Sequence, residues 1–302
     1  MTKLGQHFLR SRKIINEIIK AAELKKDDLV LEVGPGKGIL TEALIQKAGK
    51  VIAVEKDPRL IQYLEEKFKG IKNLKIVYGD ILKIDNCKLI ENCKLSRHSG
   101  IPHLAGKIEN YKVVANIPYY ITSRFLRNFL SSQTQPELMV LTLQREVAER
   151  IAAADGKESI LSISVKSYGE PKIIKNISAK YFWPRPKVNS AILKISNISH
   201  SFFRKNKTVR DRISNIEETK FFELVKKGFS SKRKMLKNNL NLTDDGRRLL
   251  KKCGIDEKAR AENLSPENWR CLYNAFYPHP QIPVIGSQIA GSQAHLSRQP
   301  KP

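Results

Sequence analysis

The sequence lacks any apolar run near the roughly 20 residues that a bilayer-spanning helix needs. Its opening stretch, "MTKLGQHFLRSRK", lacks the apolar core of a secretory signal. No membrane span is therefore expected, and a cytoplasmic location is. Cysteine is scarce too. Cys87, Cys93, Cys253 and Cys271 are too few to staple a chain of 302 residues, and a reducing compartment is expected to leave them as thiols. Acid is short relative to base, with 30 Asp and Glu against 55 Lys and Arg, a formal net charge of +25 and a pI near 9.9. That imbalance points to a polyanionic partner. Nucleic acid comes first, because each phosphate neutralised releases a counterion; acidic membrane surfaces are the other class.

What is present is enough apolar sequence, 41% over 302 residues, for a full core in one or two domains. Residues 12–24 carry isoleucines at 14, 15, 18 and 19, a helical spacing. Strand-like runs follow at "DLVLEVG" (28–34), "KVIAVEKD" (50–57), "LKIVYGD" (74–80), "YKVVANIP" (111–118) and "LMVLTLQ" (138–144). "ILTEALIQKA" and "PRLIQYLEEKFKG" lie between the first three of these and read as helices. Such alternation predicts parallel strands with crossover helices, a doubly wound α/β sheet. "SILSISVKSYG" (159–169) and "NSAILKIS" (189–196) are expected as two further strands, an antiparallel pair at the sheet edge. Past residue 200 only helical patterns appear, including one read through "TKFFELVKKGFSSKRKMLKNNL". The expected division is a sheet domain over 1–199 and a small helical domain over 200–277. The latter holds 19 Lys and Arg against 10 Asp and Glu. The tail 278–302, with five prolines and no acid, is expected to be disordered. Residues 86–106 carry Cys87, Cys93, His98 and His103, but not at the close cysteine spacing with which zinc sites begin. They are read as a surface insertion with no metal.

Three features at successive strand ends carry chemistry. "LVLEVGPGKG" sets Gly34, Gly36 and Gly38 directly after the first strand, where glycine permits a tight turn and close ligand approach. Ile39 breaks the Gly-x-Gly-x-x-Gly pattern of dinucleotide sites, which argues against NAD. Glu55 ends the next strand, 21 residues past Gly34, where an acid accepts hydrogen bonds from ribose hydroxyls. Asp80 ends the third, where a carboxylate either receives an adenine amino group or caps a turn. Together they predict an adenosine-type cofactor at the carboxyl ends of the strands.

The fourth strand ends in "NIPY". An exocyclic adenine amine is a poor nucleophile, because its lone pair is delocalised into the ring. Neutral oxygens from the Asn116 amide and the Ile117 backbone would accept its two hydrogens and favour the tetrahedral, attacking nitrogen. Pro118 fixes its φ and so aims the backbone in advance, and Tyr119 offers a face for an extruded base. None of the four cysteines follows a proline, so no thiol nucleophile of the cytosine carbon-5 kind is implied.

On "GQHFL", "LEVGPGKGILT", "VEKD", "GD", "ANIPYYIT", "LQREVAERIAA", "FWPRPKVNSAIL", "FSSKRKMLKNNL" and "RAENLS", the chain resembles the small-subunit ribosomal RNA adenine N6-dimethyltransferases, or rRNA adenine dimethylases, from Gly5 to about Tyr277. The resemblance implies a Rossmann-like class I S-adenosyl-L-methionine-dependent methyltransferase sheet with a C-terminal helical domain. It further implies dimethylation of two adjacent adenines in the 3′-terminal hairpin of small-subunit RNA, on an immature small ribosomal subunit, by a monomer linked to subunit biogenesis. By motif, His7, Leu9, Gly34, Gly36, Glu55, Asp80 and Asn116 would contact the cofactor. The His7 to Leu9 stretch, a helix entry by its residues alone, becomes a lid. Asn116, Ile117, Pro118 and Tyr119 would form the target-base site, and Lys232, Arg233, Lys234 and Lys237 would contact RNA from a helix. Asn189 departs from the aspartate of the family's "PKVDSA" and puts a structural hydrogen bond in question. Two alternatives remain. One is the related large-subunit adenine methyltransferases of the macrolide-resistance type. The other is a non-catalytic RNA-binding assembly factor, which intact Glu55, Asp80 and Asn116 argue against.

Overall fold

The computed structural model describes residues 7–95, 111–153, 156–203 and 212–277. In chain order these form β1 (Phe8–Leu9), α1 (Arg12–Ala22), β2 (Leu29–Val33), α2 (Ile39–Lys47), β3 (Lys50–Glu55), α3 (Pro58–Lys67), β4 (Leu74–Tyr78) and α4 (Asn86–Leu95). Then come β5 (Tyr111–Asn116), α5 (Thr122–Leu130), β6 (Leu138–Gln144), α6 (Arg145–Ile151), α7 (Ile160–Lys166), β7 (Glu170–Ile177), β8 (Phe182–Trp183) and β9 (Ser190–Ser196). Helices α8 (Arg212–Gly228), α9 (Leu236–Leu240), α10 (Asp244–Lys252) and α11 (Pro266–Phe276) complete the chain. No described helix is long and apolar enough to cross a membrane.

The main sheet runs β4-β3-β2-β5-β6-β9-β7. Its first five strands are parallel, and β9 lies antiparallel between β6 and β7. All five residues of β2 are buried, as expected for a parallel strand covered on both faces. Alternate residues serve opposite faces. Val30, Val51 and Val114 pack with α1 and α2, whereas Leu31, Ile52 and Val113 pack under α5. The chain steps from β2 to β4 in one direction and from β5 to β6 in the other. The reversal falls between β2 and β5, the place where open α/β sheets bind ligands.

The α5 face does not end at residue 200. Its core continues through Phe203, Phe221, Leu236 and Trp269 of the C-terminal helices. The Tyr168 hydroxyl donates to the Glu218 carboxylate of α8, and Phe203 packs 5.2 Å from the Tyr168 ring.

Four expectations need correction. Residues 160–166 form helix α7, not a strand: Ser159 caps the helix and exchanges hydrogen bonds with Ser162, which outweighs the alternating look of "ILSISV". The edge strand is instead β7, which pairs with β9 and carries Pro171 where the sheet has no further neighbour. Residues 86–95 are no surface insertion. They form α4 in the crossover from β4 to β5, with Leu89 and Ile90 buried; residues 96–106, including His98 and His103, lie outside the described residues. Cys253 and Cys271 form a disulfide, because α10 and α11 bring their Cα atoms to 5.7 Å. The helix read through "FSSKRKMLKNNL" breaks after Gly228. A Cβ there would meet Trp269 at 2.2 Å, and the Asn239 amide donates to the Gly228 and Ser231 carbonyls. The tail 278–302 is outside the described residues.

Candidate functional site

A cleft opens at the carboxyl ends of β2, β3, β4 and β5, with a volume of about 930 Å³ counting its mouth. The structure brings His7, Gly34, Gly36, Glu55, Asp80, Asn116, Ile117, Pro118 and Tyr119 into its wall. Leu9 is the exception. It packs into the core beside Ile14 and Ile18 and borders a smaller adjoining cavity, while Phe8 faces the cleft in its place.

The glycine turn is shaped for close approach. Gly34 and Gly36 both hold positive φ, 68° and 59°, and a Cβ on Gly36 would lie 2.7 Å from the Phe8 ring. Glu55 is buried and held from three sides. Its Oε1 accepts from the Lys56 and Asp57 amides at 2.8 and 3.0 Å, and its Oε2 accepts from the Gly36 amide at 3.2 Å. The carboxylate thus locks the glycine turn to the end of β3 while lining the cleft. Asp80 accepts from the Leu82 amide through Oδ1 and from the Lys56 ammonium through Oδ2 at 2.8 Å. The Lys56 bond holds its carboxyl below the ordinary aspartate range.

At the tip of β5, the Asn116 amide nitrogen donates to the His7 carbonyl at 3.1 Å. A carbonyl can only accept, so this bond fixes the amide's orientation and leaves its oxygen for the cleft. Pro118 sits at φ −55° and ψ 129°. Tyr119 stacks against the His7 ring, with centroids 6.0 Å apart, and its hydroxyl bonds the Ser190 hydroxyl at 2.8 Å. Burial raises the Tyr119 phenol above its ordinary pKa, and the Ser190 bond partly offsets this. A neutral ring at neutral pH suits stacking.

The segment His7–Leu9 is a strap, not a helix entry. Phe8 and Leu9 pair antiparallel with Trp183 and Phe182, and the His7 ring bonds the Pro184 carbonyl at 2.7 Å. The Asn189 departure leaves its bond intact. The amide oxygen of Asn189 accepts from the Ala179 amide at 3.0 Å, a task needing no charge.

Sequence reasoning passed over Glu32. Its signal was visible: one acid inside the otherwise apolar "LVLEV". The side chain is buried beside the glycine turn and accepts from the Thr41 hydroxyl at 2.7 Å. Burial, and secondarily the charge of Glu55, push its pKa up to about 8, against the Thr41 bond. Its carboxyl is therefore neutral in the fold at pH 7. The unfolded chain loses that proton near its ordinary pKa, so the group stabilises the fold fully below about pH 4.5 and progressively less up to about pH 8. Glu32→Gln keeps the acceptor but cannot titrate. The variant's Tm is expected to fall less than the wild type's between pH 5 and about 8; parallel Tm curves would show Glu32 to be charged in the fold.

The sequence-predicted RNA residues are not on one helix. Lys232, Arg233 and Lys234 are exposed in the turn before α9, whereas Lys237, on α9, lies 3.7 Å from Glu257. Lys232 borders a second, larger groove between α5, α7 and α8, where Arg127, Arg150, Lys157 and Lys226 add cations that sequence reading did not single out.

A glycine turn, two carboxylates and an oriented Asn-Ile-Pro-Tyr tip, gathered at the sheet's switch point, are what a methyltransferase acting on a base amine requires. Comparison with known proteins agrees. A family model described as ribosomal RNA adenine dimethylase matches residues 1–277. The chain is 39% identical over 282 residues to a ribosomal RNA small subunit methyltransferase A of Dehalococcoides mccartyi, covering 92% of this chain and 88% of that one. It is 35% identical to the protein of the same name from Halothermothrix orenii, over 91% of this chain and 87% of that one. Among solved structures it resembles a dimethyladenosine transferase from Plasmodium falciparum (TM-score 0.69, 27% identity, 89% of this chain and 97% of that one). It also resembles the 23S rRNA methyltransferase ErmE (TM-score 0.66, 28% identity, 88% and 98%). With the family model spanning both the cleft and the basic turn, the chain belongs to the ribosomal RNA adenine dimethylase family, enzymes that methylate rRNA adenines.

Proposed function

We propose that this enzyme uses S-adenosyl-L-methionine to dimethylate the N6 amines of two adjacent adenines in the 3′-terminal hairpin of small-subunit ribosomal RNA. The observation that carries the reading is the Asn116 amide, held by the His7 carbonyl so that its oxygen is offered to the cleft beside the glycine turn. The cleft suits the cofactor. Positive-φ glycines leave the backbone open to contact, and the carboxylates of Glu55 and Asp80 stand at the next two strand ends. Bound there, the cofactor would supply an electrophilic methyl group.

The chain's own residues do the rest. Tyr119 and the stacked His7 ring form a wall against which an extruded adenine lies. Asn116 Oδ1 and the Ile117 carbonyl accept the amine hydrogens, and these bonds strengthen as the nitrogen becomes tetrahedral. Pro118 keeps the carbonyl aimed, and the Phe8 strap shields the reacting atoms from water. Holding amine and methyl in line supplies roughly 7–11 kcal/mol of the barrier reduction. One amine hydrogen leaves as a proton with each transfer; after the first, one of the two oxygens still accepts the remaining hydrogen, which supports a second methylation of the same amine.

The small-subunit assignment is supported by the shared segments at 143–153 and 229–240 and by the names of the relatives above. Tritiated methyl transfer to unmethylated small and large subunits, followed by nucleoside analysis, tests it. N6,N6-dimethyladenosine in the small-subunit RNA alone is expected; label in the large subunit would replace this reading with the macrolide-resistance type. The exposed turn Lys232–Lys234 is assigned to phosphate contact. Replacing all three residues by Ala is expected to reduce the slope of log affinity against log salt by about 0.7–0.9 for each phosphate no longer neutralised. Lys237→Ala is expected to do less, because Glu257 already engages that ammonium. Filter binding across a salt series reads both, and an unchanged slope in the triple variant would move the RNA surface elsewhere.

A further inference from the structure

Trp183 is half exposed, at 51%, in a protein whose other tryptophan, Trp269, is fully buried. Its strand partner is Phe8, which lines the cleft. The next residue, Pro184, is bonded by the same His7 ring that stacks on Tyr119. Directly paired residues of an antiparallel ladder point to the same face, so the indole stands beside the Phe8 ring, and the Lys37 ammonium lies 5.9 Å from the centroid of that ring. Arg10 lies 4.8 Å from the indole centroid and Lys37 5.8 Å from it; both side chains are exposed. Tyr120, 67% exposed, also lines the cleft. An exposed ring flanked by two cations, paired with a residue that lines the cleft, is the arrangement that takes a stacked base and its phosphate.

Resting on the proposed RNA substrate, we infer that Trp183, with Arg10 and Lys37, forms a platform for a nucleotide flanking the adenine in the cleft. The indole stacks that nucleotide's base, and the guanidinium and ammonium meet its phosphates. The class of ligand is an unpaired nucleotide held by stacking, because every base has a π-face and the two cations are assigned to its phosphates. The platform would hold the neighbouring residue of the hairpin loop while the target amine is presented to Asn116.

The test uses the full chain. Trp183→Val keeps a strand-forming residue at this position, and Trp183→Phe keeps a ring. Methyl transfer is measured on unmethylated small subunits with cofactor saturating, and cofactor Kd is measured by calorimetry. Trp183→Val is expected to raise the KM for subunits about tenfold, in line with the removal of one base stack, with cofactor Kd unchanged. Trp183→Phe is expected to restore most of it. Tryptophan emission of the wild type should also be quenched by an RNA hairpin whose loop carries adjacent adenines, and the quenching should vanish in Trp183→Phe. A KM unchanged in Trp183→Val, or a cofactor Kd weakened in proportion to it, would show that the indole only clamps the strap and would overturn the platform. If the wild type methylates neither subunit, the proposed function falls instead, and the emission titration still reads the stacking by itself.

Discussion

Asn116→Ala is expected to lower single-turnover methyl transfer by about two to three orders of magnitude, the scale on which removal of one preorganised polar group from a reacting centre acts. The acceptor removed is one whose orientation the structure fixes through the His7 carbonyl. Its amide nitrogen is spent on the His7 carbonyl, so its oxygen has no alternative role. Alanine leaves the Ile117 carbonyl alone to favour the attacking form of the amine. The side chain is only half buried and is tied to the protein through the His7 carbonyl, so Tm should change little. RNA affinity, assigned above to the basic turn, should stay within about twofold of the wild type, as expected for phosphate contacts made elsewhere. Rapid-quench transfer paired with filter binding checks both. Equal loss of transfer and binding would reject the chemical role.

Glu55→Ala is expected to weaken cofactor binding by about 10- to 100-fold, the worth of one to two hydrogen bonds to a charged acceptor. It should also lower Tm. Both oxygens of this buried carboxylate are in use within the protein, and truncation strips the Gly36, Lys56 and Asp57 amides of their shared acceptor. The glycine turn would lose its tie to β3 as well as the proposed ribose acceptor. Glu55→Gln is not expected to rescue fully, because an amide has one accepting end and the three N–H donors approach both oxygens. Calorimetric titration with S-adenosyl-L-methionine, alongside a thermal melt, separates the two effects. An unchanged Kd with a lowered Tm would make Glu55 a structural tie only.

The strands that position the cleft were readable because parallel strands covered on both faces are continuous apolar runs, and β2, β3, β5 and β6 are of that kind. The polar residues at their ends stood out against them. Errors fell where local patterns compete. "ILSISV" alternates like a strand, yet the capping serines make it α7. "SSKRKMLKNNL" has helical composition, yet the Trp269 ring against Gly228 and the Asn239 amide end one helix and start another. Glu32 was legible only as an anomaly. That burial keeps it neutral beside the turn depends on α1 and α2 covering that face.

Sequence alone determined the five parallel strands and the first two crossover helices, the glycine turn, the acids at strand ends, the Asn-Ile-Pro-Tyr tip and the excess of base. Each is a local matter of period, backbone freedom or charge. Tertiary structure alone decided that the His7 carbonyl orients Asn116, that the strap carries Phe8 and not Leu9 to the cleft, that Cys253 meets Cys271, and that Trp183 pairs with Phe8. Those contacts join residues from 18 to 177 positions apart. The pairing of distant segments follows from how the layers pack, and no local pattern of residues encodes it.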